Sequence, residues 1–111
     1  MKAIINGFRY DTDKAVLIGE GRSSTPYRND FSFWEAGLYV TKRAHRYFLA
    51  GTGGAMTTFA SSSGSGGNYQ SGHGSRIIEM SQSEALAWAE QYLEPEEIEA
   101  GFSEGIQDAL A

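Results

Sequence analysis

Between Ser81 and Pro95 the chain reads SQSEALAWAEQYLEP, a stretch whose start, period and stop leave one local structure open to it. Ser81 is a helix N-cap, and Glu84, three residues on, reaches back to the cap amide. Met80 before the cap is placed to staple onto Ala85. Ala85, Ala89, Tyr92 and Leu93 recur at helical spacing with Leu86 and Trp88 flanking them, so one face of the helix is buried. Pro95 ends it, because proline lacks the amide hydrogen and disfavours helical geometry at Glu94. A helix with one apolar face requires a partner surface, and the rest of the chain must supply it.

The chain has 111 residues, 41% of them hydrophobic. That is enough for one core and too little for two ordinary domains, so residues 1–111 are read as a single domain. There are no cysteines, which excludes a disulfide framework and thiolate zinc sites and points to a reducing cytoplasm. No apolar run approaches membrane-spanning length, and the N-terminus lacks the uninterrupted apolar segment of a signal peptide.

The net charge of −5 conceals an uneven distribution. Met1 to Arg76 carries nine Lys and Arg against five Asp and Glu, whereas Ile77 to Ala111 carries nine acids and no Lys or Arg. Such asymmetry bears on partners and association rate rather than on fold. Two readings follow: a solvated acidic tail that pairs with the basic half of the same molecule, or an acidic surface offered to a positively charged partner.

In chain order, Lys2 to Asp11 reads as a tight hairpin or a strand with a kinked end: Ala3, Ile4 and Ile5 are strand-like, Asn6-Gly7 favours a type I′ turn, and Phe8, Arg9 and Tyr10 return. Asp11 or Thr12 caps a short turn reaching Ala15. Val16, Leu17 and Ile18 then form a brief buried strand that stops at Gly19-Glu20-Gly21, and residues 22–30 are loop.

The opening Lys2, Ile4, Ile5, Asn6, Gly7, Tyr10, Asp11, Thr12 and Ala15 forms the pattern K-x-I-I-N-G-x-x-Y-D-T-x-x-A. It resembles the start of small proteins of phages and other mobile elements, a group that includes anti-CRISPR proteins. Looser similarity extends over residues 38–54 and 77–93. Phe8 stands where such proteins carry a basic residue, and Ala44-His45 where they carry a glycine. The resemblance implies an anti-defence function, most concretely inhibition of a CRISPR effector by blocking nucleic-acid access or a conformational step.

Residues 31–50 are expected at the sheet's centre, with Phe33, Trp34, Leu38, Tyr39, Val40 and Thr41 extended, a basic turn at Lys42-Arg43-Ala44-His45-Arg46, and Tyr47, Phe48 and Leu49 returning. Basic residues beside Tyr39, Tyr47 and Phe48 suit phosphate binding and base stacking. They suit equally a solvated hairpin tip above core aromatics. Gly51 to Gly54 reads as a turn or bulge, because the Gly-Lys-Ser/Thr step of a phosphate loop is missing. Ala55 to Ala60 reads as a further strand. In residues 61–75, eleven of fifteen are Ser or Gly, a composition that predicts a flexible loop. His45 and His73 are solitary, and neither completes a triad or a metal set. Arg76 to Met80 alternates as a strand with Ile77 inward.

Beyond Pro95 a second helix is expected, with Ile98 and Phe102 on one face and a last turn through Ile106, Ala109 and Leu110. Its carboxylates have a spacing that imitates phosphates toward a protein whose grooves are built from Lys and Arg.

The fold expected is α+β: a twisted, mainly antiparallel sheet of about four to six strands, with a C-terminal helix from Ser81 packed on one face and an acidic helical tail beyond it, the two making an acidic helical segment over residues 81–111. The expected function is binding without cofactor, metal or catalysis, to a protein partner, with no direct nucleic-acid binding; a homodimer follows if strand edges pair. The partner-binding candidates are Tyr92, Glu94, Glu96, Glu97, Glu99, Phe102, Glu104 and Asp108. The alternative is a nucleotide-signal-binding sponge or sensor using Lys42, Arg43, Arg46, Gly53 and Gly54.

Overall fold

The computed structural model describes residues 1–25, 27–65 and 68–102, with backbone alone over 62–71. The fold is α+β. A hairpin of β1 (Lys2–Ile5) and β2 (Phe8–Asp11) comes first. A four-stranded sheet follows, made of β3 (Val16–Arg22), β4 (Trp34–Val40), β5 (Tyr47–Gly53) and β8 (Gly74–Met80) in that spatial order. A second hairpin, β6 (Ser61–Ser65) with β7 (Asn68–Gly72), intervenes before β8. Two helices close the described chain, α1 (Gln82–Tyr92) and α2 (Pro95–Gly101). All these strand pairings are antiparallel.

The first hairpin is the Asn-Gly turn expected: Asn6 and Gly7 have φ of 51° and 81°, the left-handed pair a type I′ turn requires. It does not stay apart. Tyr10 is buried with Phe48 and Ile77, so the hairpin covers one face of the four-stranded sheet. The helices cover the other face. Alternation along β4 and β5 sends Ala36, Leu38, Tyr47 and Leu49 toward Ala85, Ala89, Leu93 and Phe102, and sends Phe48 and Ala50 toward the hairpin. The sheet is therefore the middle of three layers. Ile77 is buried as expected, on the hairpin side rather than against the helices.

Four local expectations need correction. The strand beginning at Val16 continues through the Gly-Glu-Gly step to Arg22, with a register shift between Leu17 and Gly19, and Val16 and Leu17 are exposed. Gly51 to Gly53 extends β5 and does not turn. Residues 55–59 turn and form no strand. The Ser/Gly stretch is a paired hairpin; strand pairing runs through main-chain groups, which a composition argument about apolar burial leaves out.

The strand glycines share a cause. A Cβ on Gly19 would lie 2.7 Å from a Leu93 methyl, one on Gly21 2.9 Å from both the Trp88 ring and the Tyr92 Cβ, and one on Gly51 2.6 Å from the Ala36 Cβ. Their absent side chains are the space into which α1, α2 and Phe59 settle. Gly21→Val should therefore destabilise the protein by about 1–3 kcal/mol in chemical denaturation, as an overpacked core site does. Gly72→Ala, whose Cβ would meet its nearest neighbour at 3.7 Å, should change the same transition little.

Candidate functional site

The helical face begins with the capping box read from the sequence. The Ser81 hydroxyl accepts from the Glu84 amide at 3.1 Å, and a Glu84 carboxylate oxygen accepts from the Ser81 amide at 2.9 Å. The hydrogen bond from the Ser81 backbone holds the Glu84 carboxyl below its ordinary value. Small Ala85 and Ala89 are fully buried and let α1 lie close on the sheet. Pro95 starts α2, and the Glu97 carboxylate accepts from the Glu94 amide at 3.1 Å.

α2 is tied down at its far end. Phe102 is 1% exposed and stacks on Tyr47 with ring centroids 4.9 Å apart and planes 6° from parallel. Gly101 passes close over Ile18. Phe102 is thus a core residue and is withdrawn from the partner-binding candidates, because burying its ring is what seats the helix. Glu97 is half-buried and engaged in the cap. Glu94, Glu96 and Glu99 are exposed, together with Glu90, which the sequence reading passed over. Among the described residues, none of these four forms an ion pair. Glu104 and Asp108 lie outside the described residues.

Tyr92 joins this acidic face to an aromatic cleft that sequence reasoning missed. The cleft, about 510 Å³, is lined chiefly by Trp34, Met56, Phe59, Ile78, Trp88 and Tyr92. Tyr92 meets Trp34 edge-on at 4.9 Å and Trp88 at 5.0 Å. The available signal was that the two tryptophans of the chain stand at strand and helix positions facing the same core.

The alternative, phosphate-binding set is not brought together. Lys42 and Arg43 are exposed in the turn at one end of β5, while Gly53 and Gly54 lie at the other end. A seven-residue strand separates them by about 20 Å. The Gly54 amide is given to the Phe33 carbonyl at 2.8 Å, and carbonyl oxygens of Asp30 and Phe31 crowd that glycine, the wrong polarity for a phosphate. Tyr47 and Phe48 are buried, so their rings are not available to bases, and half-buried Tyr39 gives one face of its ring to Phe48.

Arg46 is consumed by the fold. Its guanidinium lies 3.7 Å from the centroid of the Phe8 ring, donates to the Tyr10 hydroxyl at 3.1 Å and pairs with Glu79 at 3.7 Å. Glu79 also accepts from Tyr10 and, at 2.8 Å, from Asn6. Hydrogen bonding from Tyr10 is the leading cause that holds the Glu79 carboxyl below its ordinary value, with Asn6 and Arg46 acting in the same sense. Burial pushes the Tyr10 phenol up.

Among the described residues there is no group of three or more His, Asp or Glu arranged to hold a metal ion, and no helix long and apolar enough to cross a membrane. Comparison with known protein families, curated proteins and solved structures finds no match for this chain.

The Glu79 clasp has a pH signature. A carboxylate whose folded value is depressed contributes stability above its unfolded value of 4.5 and loses it as pH falls toward the folded one. Denaturant midpoints should therefore fall with pH below about 4.5 more steeply in the native chain than in Glu79→Gln. Parallel curves for the two proteins would remove Glu79 from the acid response.

Proposed function

We propose that this protein is a binding module that attaches through its acidic helical face to a Lys- and Arg-lined groove of a nucleic-acid-handling partner. The anti-CRISPR resemblance of the first fifteen residues makes a CRISPR effector the most concrete such partner, with nucleic-acid access or a conformational step as what is blocked. The observation that carries the reading is the uncompensated charge of the helices. From Ile77 to Phe102 there is no Lys or Arg, and the exposed Glu90, Glu94, Glu96 and Glu99 form no ion pair with the basic half of the chain among the described residues.

Had the acidic segment served only to neutralise the basic half, its carboxylates would meet Lys42, Arg43 or Arg22. Glu79, beneath the N-terminal hairpin, does take Arg46, but the exposed Glu90, Glu94, Glu96 and Glu99 are left to solvent. Carboxylates on a helix seated against a packed sheet keep their spacing, which matters for imitating the regular charge of a nucleic-acid backbone. Tyr92, 36% exposed beside them, offers the aromatic contact that anchors many protein interfaces.

The test is retention of purified CRISPR effector complexes on the immobilised protein, followed by a wash at raised salt. Binding should be lost at high salt, because exposed charges are screened within about 10 Å at 0.1 M ionic strength. Replacing Glu96 and Glu99 together by Lys should weaken retention by about tenfold or more, without altering the circular dichroism of the fold. Retention indifferent to both salt and charge reversal would overturn the proposal.

A further inference from the structure

β3 forms one edge of the four-stranded sheet, and among the described residues no strand pairs with its outer side. The Ser23 amide donates to the Trp34 carbonyl at 2.9 Å. From there the register runs unbroken through Arg22 with Glu35, Gly21 with Ala36 and Glu20 with Gly37. Peptide groups in an antiparallel strand alternate between its two sides. Gly21 and Ser23 therefore turn theirs to β4, and Glu20 and Arg22 turn theirs outward.

The side chains of these two residues are exposed. They lie on the face away from the helices, since Gly21 between them faces Trp88 and Tyr92. Neither has an ionic partner among the described residues. Glu35, across from Arg22, is held by Arg28 through hydrogen bonds of 3.0 and 3.2 Å, and Glu20 stands across from a glycine.

We propose that β3 pairs antiparallel with β3 of a second copy of this chain, about a two-fold axis through Gly21, joining the two sheets into one. Centred there, Glu20 of each copy stands opposite Arg22 of the other, and both residues point their free main-chain groups across the axis. Each such pair exchanges two backbone hydrogen bonds and sets its side chains about 5 Å apart, where opposite charges attract. The neighbouring in-phase registers are disfavoured: centring on Glu20 sets Glu20 against its own copy, and centring on Arg22 does the same for Arg22. Charged residues on an edge commonly guard against pairing. A guard of one sign repels in every register, whereas Glu-Gly-Arg is self-complementary in this one.

The contact rests on the main chain of β3 and is independent of the acidic-face reading. Sedimentation equilibrium on the full chain should give a concentration-dependent dimer. Glu20→Arg and Arg22→Glu, both at exposed positions, should each weaken it by about tenfold or more, because each substitution sets like charges across both pairs. An equimolar mixture of the two variants should dimerise again, since one chain then carries arginine at both positions and meets a chain that carries glutamate at both. A wild-type protein monomeric throughout the concentration range, variants that dimerise like wild type, or a mixture that stays monomeric would each overturn the proposal.

Discussion

The seating of large side chains over strand glycines is the contact on which the rest of this molecule depends. Gly19 and Gly21 on β3 receive Leu93, Trp88 and Tyr92, Gly51 on β5 receives Phe59, and Gly101 on α2 returns the arrangement by passing over Ile18. Backbone approaches backbone more closely than side chains would otherwise allow, and the bulk comes from one partner only. The cost is borne by the strands, where glycine loses conformational entropy and contributes no cross-strand pair. The return is a helix pair held close to a short sheet in a chain of modest length.

The opposite face is closed by different means. The N-terminal hairpin brings Tyr10 onto Phe48 at 5.1 Å and fastens itself through Arg46 and Glu79. That network spans residues 6 to 79 and joins the first turn, the β4–β5 turn and the last strand. It removes Arg46 from the basic turn, leaving Lys42 and Arg43 as its free cations among the described residues. Covering both faces makes the sheet a rigid support, so the exposed carboxylates of α2 and the edge of β3 are presented in fixed positions.

Local signals were legible in the sequence wherever one residue type answers one geometric need. Asn6-Gly7 named its turn, Ser81 and Glu84 their capping box, Pro95 the break between helices, and the aromatic and β-branched residues around Leu38 and Phe48 the central strands. Glycine was misread because it answers two needs. Gly19-Glu20-Gly21 and Gly51-Thr52-Gly53 look like turns from the chain alone, yet they are strand positions emptied to admit a neighbour, from the distant helices at Gly19 and Gly21 and from β4 and the nearby 55–59 turn at Gly51 and Gly53. The acidic face was legible as charge. The burial of Phe102, the capping of Glu97 and the sequestration of Arg46 all depend on contacts that composition and spacing do not reveal. So does the aromatic cleft, which needs β4, the 55–59 turn and α1 to meet.

These contacts also sort the charged residues by duty. Glu79 and Arg46 hold layers together, Glu84 and Glu97 cap the starts of α1 and α2, Arg28 and Glu35 satisfy each other, and Glu90, Glu94, Glu96, Glu99 and the Glu20–Arg22 step face outward. The most direct test of the account is the through-space proton contacts of Gly21 in solution NMR. Its α-protons should show nuclear Overhauser contacts to the outer ring protons of Trp88 and to the β-protons of Tyr92, with chemical shifts displaced by the indole ring. Gly21 α-protons at ordinary strand shifts, without contacts to either side chain, would contradict the seating of α1 on β3.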